Sequence, residues 1–390
     1  MAACAPGGGS PTPTSSPTPG STLPPPSTPT PAPTATAAPT SGASLRRKIG
    51  RLLVVGFRGT TLPSGNAIRT AIEAGELGGV ILFDRDHLTN TAGRNITSPG
   101  QLTALTDALR AAAFAGPIGS NLIVSVDQEG GKVARLNPSN GYPATESEES
   151  LGTTNDLAHT TDAATLVAIT LAGAGIDLNL APVVDLDINP ANPAIGALDR
   201  SFSADPAIVV AHAKAVIEAH HAAGITCAIK HFPGEGSGTG NTDNGIVDVT
   251  ATWTPVELEP FRSLVGAGEP DVVMVGHIVN GQLDKDRPAS LSKATVTDLL
   301  RTDIGWAGPV ISDDMQAPAI TEAFGMEEAI ALALEAGVDL LLFANQQVYD
   351  DAIVANAIAT IERLVTSGRI SEARIDESVD RVESMFGPVE

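Results

Sequence analysis

The chain predicts an α/β fold, a closed (β/α)8 TIM barrel preceded by a disordered leader rich in Pro, Thr and Ser. Three observations carry the prediction. From residue 45 onward eight short apolar runs alternate with longer amphipathic ones. The short runs hold Val, Ile and Leu at consecutive rather than alternate positions, as parallel strands covered on both faces do. Strand after strand also ends in a side chain able to do chemistry, and in a barrel those ends converge on one face. A doubly wound open sheet is the alternative reading of the same alternation.

Residues 1–44 form the leader. They carry no acidic or basic side chain, the first being Arg46, and repeat Pro and Thr as in Pro24-Pro25-Pro26 and Pro29-Thr30-Pro31. Such a segment has nothing to bury and stays extended as a spacer. It opens Met1-Ala2-Ala3-Cys4, which resembles the end of a bacterial lipoprotein signal without the basic and apolar regions that precede it. The expectation is that translation starts upstream, that Cys4 carries a lipid, and that the spacer holds a lipid-anchored, extracytoplasmic domain off the membrane of a bacterial cell envelope. The alternative is a cytoplasmic protein with a disordered tail.

Residues 45–390 supply the barrel domain. The strands are expected at 52–57, 79–83, 121–127, 176–185, 226–232, 271–278, 309–313 and 338–343. Helices are expected at 101–115, 162–175, 206–224, 256–268, 293–304 and 327–337, several stopping at a Gly just before the next strand. Asp84 follows the second strand, Asp127 the third and Asp185 the fourth. Lys230 and His231 close the fifth, His277 the sixth, and Asp313 and Asp314 the seventh. Each has a bland reading alone: Asp127 and Asp313 as helix caps, Lys230 in a structural ion pair, His231 and His277 as core histidines. Their coincidence at six strand ends favours an active-site mouth. The eight units are expected to use up the chain, with no room for a second domain.

Composition removes other classes. Among 390 residues there are 23 Lys and Arg against 45 Asp and Glu, a net charge of −22, so binding nucleic acid through a basic face is excluded. Two cysteines, Cys4 and Cys227, build no disulfide framework and no thiolate zinc site. Cys227 opens an apolar strand and reads as a buried, inert thiol. His212, His220 and His221 sit on the helix before the fifth strand and read as surface or packing residues. No apolar run reaches the ~18–20 residues of a membrane span, so the membrane is met only through a lipid on Cys4.

The inventory at the mouth lacks a Gly-x-Ser-x-Gly elbow and a His-Glu-x-x-His pair. The run Gly234-Glu235-Gly236-Ser237-Gly238-Thr239-Gly240 leads into Asn241-Thr242-Asp243 rather than a helix, and reads as a flexible loop, not a phosphate cradle. Carboxylates with few other reactive groups suit glycoside hydrolysis, where one attacks or stabilises an oxocarbenium-like centre and a second group protonates the leaving oxygen.

The motifs resemble glycoside hydrolase family 3, in its single-domain β-N-acetylhexosaminidase branch. Val126-Asp127-Gln128-Glu129-Gly130-Gly131-Lys132-Val133 is similar to the family's Asp-Gln-Glu-Gly-Gly segment. Asn179-Leu180-Ala181-Pro182-Val183-Val184-Asp185 resembles its fourth-strand motif, and Asp199-Arg200-Ser201-Phe202-Ser203 its Arg-Ser-Phe loop. Lys230-His231-Phe232-Pro233-Gly234 resembles its most diagnostic stretch, and Ile311-Ser312-Asp313-Asp314-Met315 its nucleophile motif. The resemblance implies that Asp313 is the nucleophile of a retaining enzyme. It implies that Asp127, Arg200, Lys230 and His231 hold a terminal N-acetylglucosamine, with Asp185 and His277 close to the same pocket. It further implies a monomeric enzyme on GlcNAc-containing glycans or muropeptides, with no cofactor and no metal.

One loop departs from the pattern. The family typically reads Lys-His-Phe-Pro-Gly-His-Gly and then Asp-Ser-His, whose last His is the acid/base. Here Glu235 replaces the first His, and Gly245, after Asp243-Asn244, stands where the catalytic His is expected. Asp243 and Glu235 are therefore the candidate acid/base groups. An exo-β-glucosidase and a catalytically impaired glycan-binding envelope lipoprotein are the alternative functions.

Overall fold

A computed structural model describes residues 44–119 and 121–388; the leader with Cys4 lies outside the described residues. Eight strands make one parallel sheet: β1 Leu53–Gly56, β2 Gly79–Ile81, β3 Ile123–Val126, β4 Leu178–Asn179, β5 Thr226–Phe232, β6 Val272–Val275, β7 Val310–Ser312 and β8 Leu341–Phe343. Their order is β7-β6-β5-β4-β3-β2-β1-β8. The ends of that order meet: Ile311 bridges Leu340 in parallel, and the Ser312 amide donates to the Leu340 carbonyl at 2.9 Å. The sheet is thus wound into the expected (β/α)8 barrel.

Helices α1 Leu45–Arg51, α2 Ala67–Ala74, α3 Pro99–Ala115, α4 Glu148–Thr154, α5 Leu157–Gly173, α6 Pro206–Ala222 and α7 Glu259–Ala267 surround it. They continue as α8 Pro318–Phe324, α9 Met326–Ala336, α10 Ile353–Thr366 and α11 Glu372–Phe386, with a π-wound helix at Ala294–Asp303. Local chemistry sets their starts. Ser98 caps α3, which has Pro at its first turn, and Asp156 accepts from the Ala158 and His159 amides at the head of α5. That cap moves α5 upstream of the expected 162–175.

The strands are buried along their length, as in β1 and β3. Burial of such Val, Ile and Leu side chains, worth about 1.5–3 kcal/mol each, joins barrel wall and helix layer in one core. The fourth strand is shorter than the expected 176–185. Pro182 has no N–H for the ladder, and regular pairing resumes only as a bridge between Val183 and Lys230. Gly56 is required where β1 meets the end of β8, since a Cβ there would lie 2.0 Å from the Ala344 carbonyl oxygen.

Cys227 is buried, and burial pushes its thiol well above the ordinary range. His212 bonds Thr160 at 2.8 Å, His220 bonds Asn179 at 3.1 Å, and His221 pairs with Asp271 at 2.7 Å, all away from the barrel mouth. Among the described residues no helix is long and apolar enough to cross a membrane.

Candidate active site

At the C-terminal ends of the strands lies a cavity of about 290 Å3 lined by Asp127, Glu129, Arg135, Arg200, Lys230, His231, Glu235, Asp243, Asp313 and Asp314, among others. Two other cavities, of about 110 and 450 Å3, have no Lys or Arg in their walls.

Asp313 follows β7 directly. Its amide donates to the Val275 carbonyl at 3.0 Å, and its Oδ1 accepts from the Asp314 amide at 2.7 Å. Burial alone would raise its pKa. His277, His231, the Asp314 amide and Lys230 outweigh burial and hold the carboxyl below the ordinary value, so Asp313 is ionised at neutral pH. Asp314 shows the opposite balance: burial pushes it up to about 7 despite amide donors from Ala344 and Gln316.

A charge cluster forms the adjoining wall. Lys230, 2% exposed, donates to Asp127 Oδ1 at 2.9 Å and pairs with Glu129 Oε1 at 2.7 Å. Glu129 also receives the Arg200 guanidinium as a two-pronged pair at 2.7 and 2.8 Å. Burial would raise Glu129, but Arg200 and Lys230 hold it far below the ordinary carboxylate range. Arg135 reaches Asp127 at 3.4 Å.

His231 leans on a buried carboxylate. Asp185 Oδ2 bonds His231 Nδ1 at 2.7 Å and the His231 amide at 3.0 Å, while Asp185 Oδ1 accepts from the Glu235 amide at 2.9 Å. Burial opposes protonation of His231, yet Glu235 and Asp185 raise its pKa above the ordinary imidazole value. Glu235 is 5% exposed, with Oε1 3.7 Å from His231 Nδ1, and burial pushes it up to about 7. Asp185, His231 and Glu235 bring three possible ligand atoms within 4.8 Å. The Asp185 oxygens are already engaged by N–H donors, and Arg200 stands 3.4 Å from His231 Nε2, so the trio is a hydrogen-bonded unit beside a cation.

The sequence places Asp185 and His277 near the substrate; neither is among the residues of the cavity wall. Both are buried and spend their polar atoms on protein groups. His277 bonds Ser290 Oγ at 2.7 Å and the Asp314 carbonyl at 2.9 Å. Their bonds reach the cavity wall through His231 and Asp314.

The β5 loop supplies the last carboxyl. Gly236 packs so tightly that a Cβ would lie 1.7 Å from the Leu186 carbonyl oxygen. Further along, the loop returns to the cavity, whose wall includes Asn241, Thr242 and Asp243. There the Asn241 side chain accepts from the Asp243 amide at 2.8 Å, so the turn is made by Asn241, and the Asp243 carboxyl lines the cavity within reach of Gln347. Asp243 is exposed as a residue, yet the crowded cleft desolvates its carboxyl. That burial and the Asp313 charge raise its pKa against Arg200, Gln347 and His87. Gly245 does not line the cavity. Its φ is +146°, a conformation that strains any side chain.

Sequence reasoning assigned no role to Glu129, Arg135, His87, Gln346 or Gln347, which all line the cavity. Glu129 had a signal, since it lies two residues after Asp127 and residues two apart in extended chain share a face. Gln346 and Gln347 follow the eighth strand, the same positional signal that marked the other strand ends.

A parallel barrel whose strand ends present an ionised carboxylate, carboxyl groups of raised pKa and hydrogen-bonding cations around one cavity is the site of a barrel glycoside hydrolase. Residues 44–385 match the family model of the glycosyl hydrolase family 3 N terminal domain. A β-hexosaminidase of Mycobacterium tuberculosis, LpqI, is 36% identical over 353 residues, with 88% of this chain and 83% of that protein covered. A β-N-acetylhexosaminidase structure from Beutenbergia cavernae superimposes with a TM-score of 0.78 at 32% identity, covering 89% of this chain and 99% of that one. A family 3 β-N-acetylglucosaminidase from Paenibacillus gives 0.77 at 31% identity, covering 88% of this chain, which spans only 62% of the Paenibacillus chain. The chain belongs to glycosyl hydrolase family 3.

Proposed function

We propose that this protein is a retaining, exo-acting β-N-acetylglucosaminidase that hydrolyses terminal GlcNAc from cell-wall muropeptides or other glycans. The observation that carries the reading is a pair of carboxyl groups on one cavity with their pKa values pushed apart, Asp313 downward and Asp243 upward. The Asp313 carboxylate attacks the anomeric carbon while Asp243 gives its proton to the departing glycosidic oxygen. Asp243 then takes a proton from water as the hydroxyl adds to that carbon and the bond to Asp313 breaks. Asp243 is preferred to Glu235 because it stands at the mouth, where a leaving group passes, whereas Glu235 is buried beside His231.

Asp127, Arg200, Lys230 and His231 hold the sugar's hydroxyl and acetamido groups, with Glu129 and Arg135 fixing their charges. Asp185 and His277 position His231 and the Asp313 segment. Residues 45–390 are the catalytic unit. The residues in these roles need no metal or cofactor, and the names of the relatives support the GlcNAc preference. Cys4 as a lipid anchor would place the enzyme at the cell envelope, and the intact mass of native protein tests this: a mass without lipid overturns it.

The activity test compares chromophore release from aryl β-GlcNAc and aryl β-glucoside, with Asp313→Asn as control. Release from the GlcNAc substrate well above the control is expected. Preference for the glucoside would make the protein an exo-β-glucosidase. No release above the control, with sugar still bound, would make it a glycan-binding protein.

A further inference from the structure

The glycine-rich run that follows β5 has a second attachment besides the packing of Gly236. Its backbone is tied to two asparagines of the β4 loop, Asn189 and Asn192. Asn192 is 1% exposed. Its Nδ2 donates to the Glu235 carbonyl at 2.7 Å and to the Gly236 carbonyl at 3.3 Å. Its Oδ1 accepts from the Ala194 and Ile195 amides at 2.9 and 3.3 Å. With two carbonyls on one side and two N–H groups on the other, a side-chain amide serves both where a carboxylate or an apolar group cannot. Asn189 repeats the arrangement in a half-buried position. Its Nδ2 donates to the Gly238 carbonyl at 2.7 Å, and its Oδ1 accepts from the Ala191 amide at 3.1 Å. Its own amide donates to the Gly236 carbonyl at 3.2 Å. The far end of the loop is fixed too, since the Val279 amide donates to the Val247 carbonyl at 2.8 Å. Residues 239–246, with Asp243 among them, therefore span two anchored points. The same β4 loop carries Arg200. The Ala194 carbonyl accepts from Arg200 Nη1 at 2.7 Å, and the Ala197 amide donates to the Asn192 carbonyl at 2.9 Å.

We propose that Asn189 and Asn192 are positioning residues of the acid/base step: their side-chain amides clamp the backbone of Glu235, Gly236 and Gly238, and so tie the loop that carries Asp243 to the loop that carries Arg200. The proposal rests on the acid being a carboxyl of the β5 loop, as in the reading of Asp243. Neither asparagine is among the residues of the cavity wall, so each acts through the loop it holds. A general acid has to keep its proton within hydrogen-bond reach of the leaving oxygen, and a displacement of about 1 Å can cost on the order of 100-fold. Holding the start of the loop by its carbonyls limits where Asp243 can stand without placing another side chain in the cavity. A leaving group that departs easily as an anion needs little of that proton, so the clamp matters little to it.

Asn189→Asp is the direct test, because the carboxylate keeps the acceptor for the Ala191 amide and loses the donor to Gly238. Asn192→Ala removes the clamp on Glu235 and Gly236. Both variants are assayed as the full chain on aryl β-GlcNAc substrates with poor and good leaving groups, with and without azide. The expected fall in kcat/KM is about 10- to 100-fold on the poor leaving group and less than about threefold on the good one, within what general acid help supplies. On the good leaving group kcat, set by breakdown of the glycosyl–Asp313 intermediate, falls as well and is raised by azide. Azide bonds to the anomeric carbon as the bond to Asp313 breaks, needs no base to remove a proton, and gives a glycosyl azide. A merely structural role produces no such split, since loss of folded enzyme lowers both substrates by one factor and azide restores nothing. An equal loss on both substrates without azide rescue, or no loss, overturns the proposal. Asn189 is half-buried and Asp keeps its shape, so Asn189→Asp decides if Asn192→Ala does not fold. Asp243→Ala in parallel separates the clamp from the reading of Asp243. If Asp243→Ala shows the split and the rescue while the asparagine variants do not, only the clamp fails. If the asparagine variants show both and Asp243→Ala shows neither, the clamp stands and the acid is the loop's other carboxyl, Glu235.

Discussion

Glu129 has the most demanding position in the site, being, among the described residues, the one carboxylate bonded by both Lys230 and Arg200, with 2% of its side chain exposed. Two buried cations against Glu129 and Asp127 balance, and removing one anion leaves a buried positive charge without its partner. Breaking such a pair costs about 3–5 kcal/mol. Glu129→Gln keeps the shape and deletes the charge, so it is expected to lower the urea midpoint and kcat/KM together, while the Lys230 and Arg200 side chains lose their fixed direction in the cavity wall. The sign with pH follows. Glu129 is depressed below its unfolded value, so its contribution is present above about pH 4.5 and is lost as pH falls. A urea midpoint for Glu129→Gln equal to wild type at pH 7 would show the cluster to be stability-neutral.

The β5 loop is the element on which the proposed mechanism turns. Two of its glycines make opposite predictions. Gly236 has no room for a Cβ, and Gly236→Ala must push the loop off Leu186 and carry Asp243 from the mouth. Overpacking of this kind costs about 1–3 kcal/mol, and activity should fall further than stability does. Gly245 has open space around its Cβ position but a φ of +146°, and it is absent from the cavity wall. Gly245→His is therefore expected to bring no gain in kcat/KM on poor leaving groups; a gain would show that the loop can present position 245 to the substrate. Here the limits of sequence are physical. Strand ends were readable because the barrel puts them on one face, which brought Asp127, Lys230, His231 and Asp313 together as expected. The end of the fourth strand was misjudged because the apolar run continues through Pro182, where the ladder cannot. His87 and Gln346 were invisible because their meeting, the His87 amide on Gln346 Oε1 at 2.9 Å, depends on loops far apart in sequence folding together at the cavity.

At the scale of the whole molecule the site makes stability depend on pH in two opposing ways. Glu235, Asp314 and Glu257 are each raised to about 7, chiefly by burial, and Glu148 is raised well above its ordinary value. For these groups the folded state binds a proton that the unfolded chain has released. Between about pH 4.5 and 7 the unfolded chain thus holds fewer protons than the native one, and stability falls as pH rises by up to about 1.4 kcal/mol per pH unit for each group. Glu129, Asp86 and Glu76 are depressed, mainly by their arginine partners, and their contributions are lost progressively as pH falls below about 4. Above about pH 5 the depressed groups are ionised in folded and unfolded chain alike, so only the raised groups act in the neutral range, and thermal stability is expected to peak near pH 5 and to decline toward pH 8. Melting curves of the wild type and of Glu257→Gln test this. Glu257 lies outside the cavity wall and its Oε2 accepts from the Ser237 amide at 3.2 Å, a bond that Gln can keep while staying neutral. Glu257→Gln should flatten the decline without moving the acid limb; a melting temperature that rises from pH 5 to 8 would mean that these carboxyls are ionised in the folded protein and that the cleft is wetter than its packing implies.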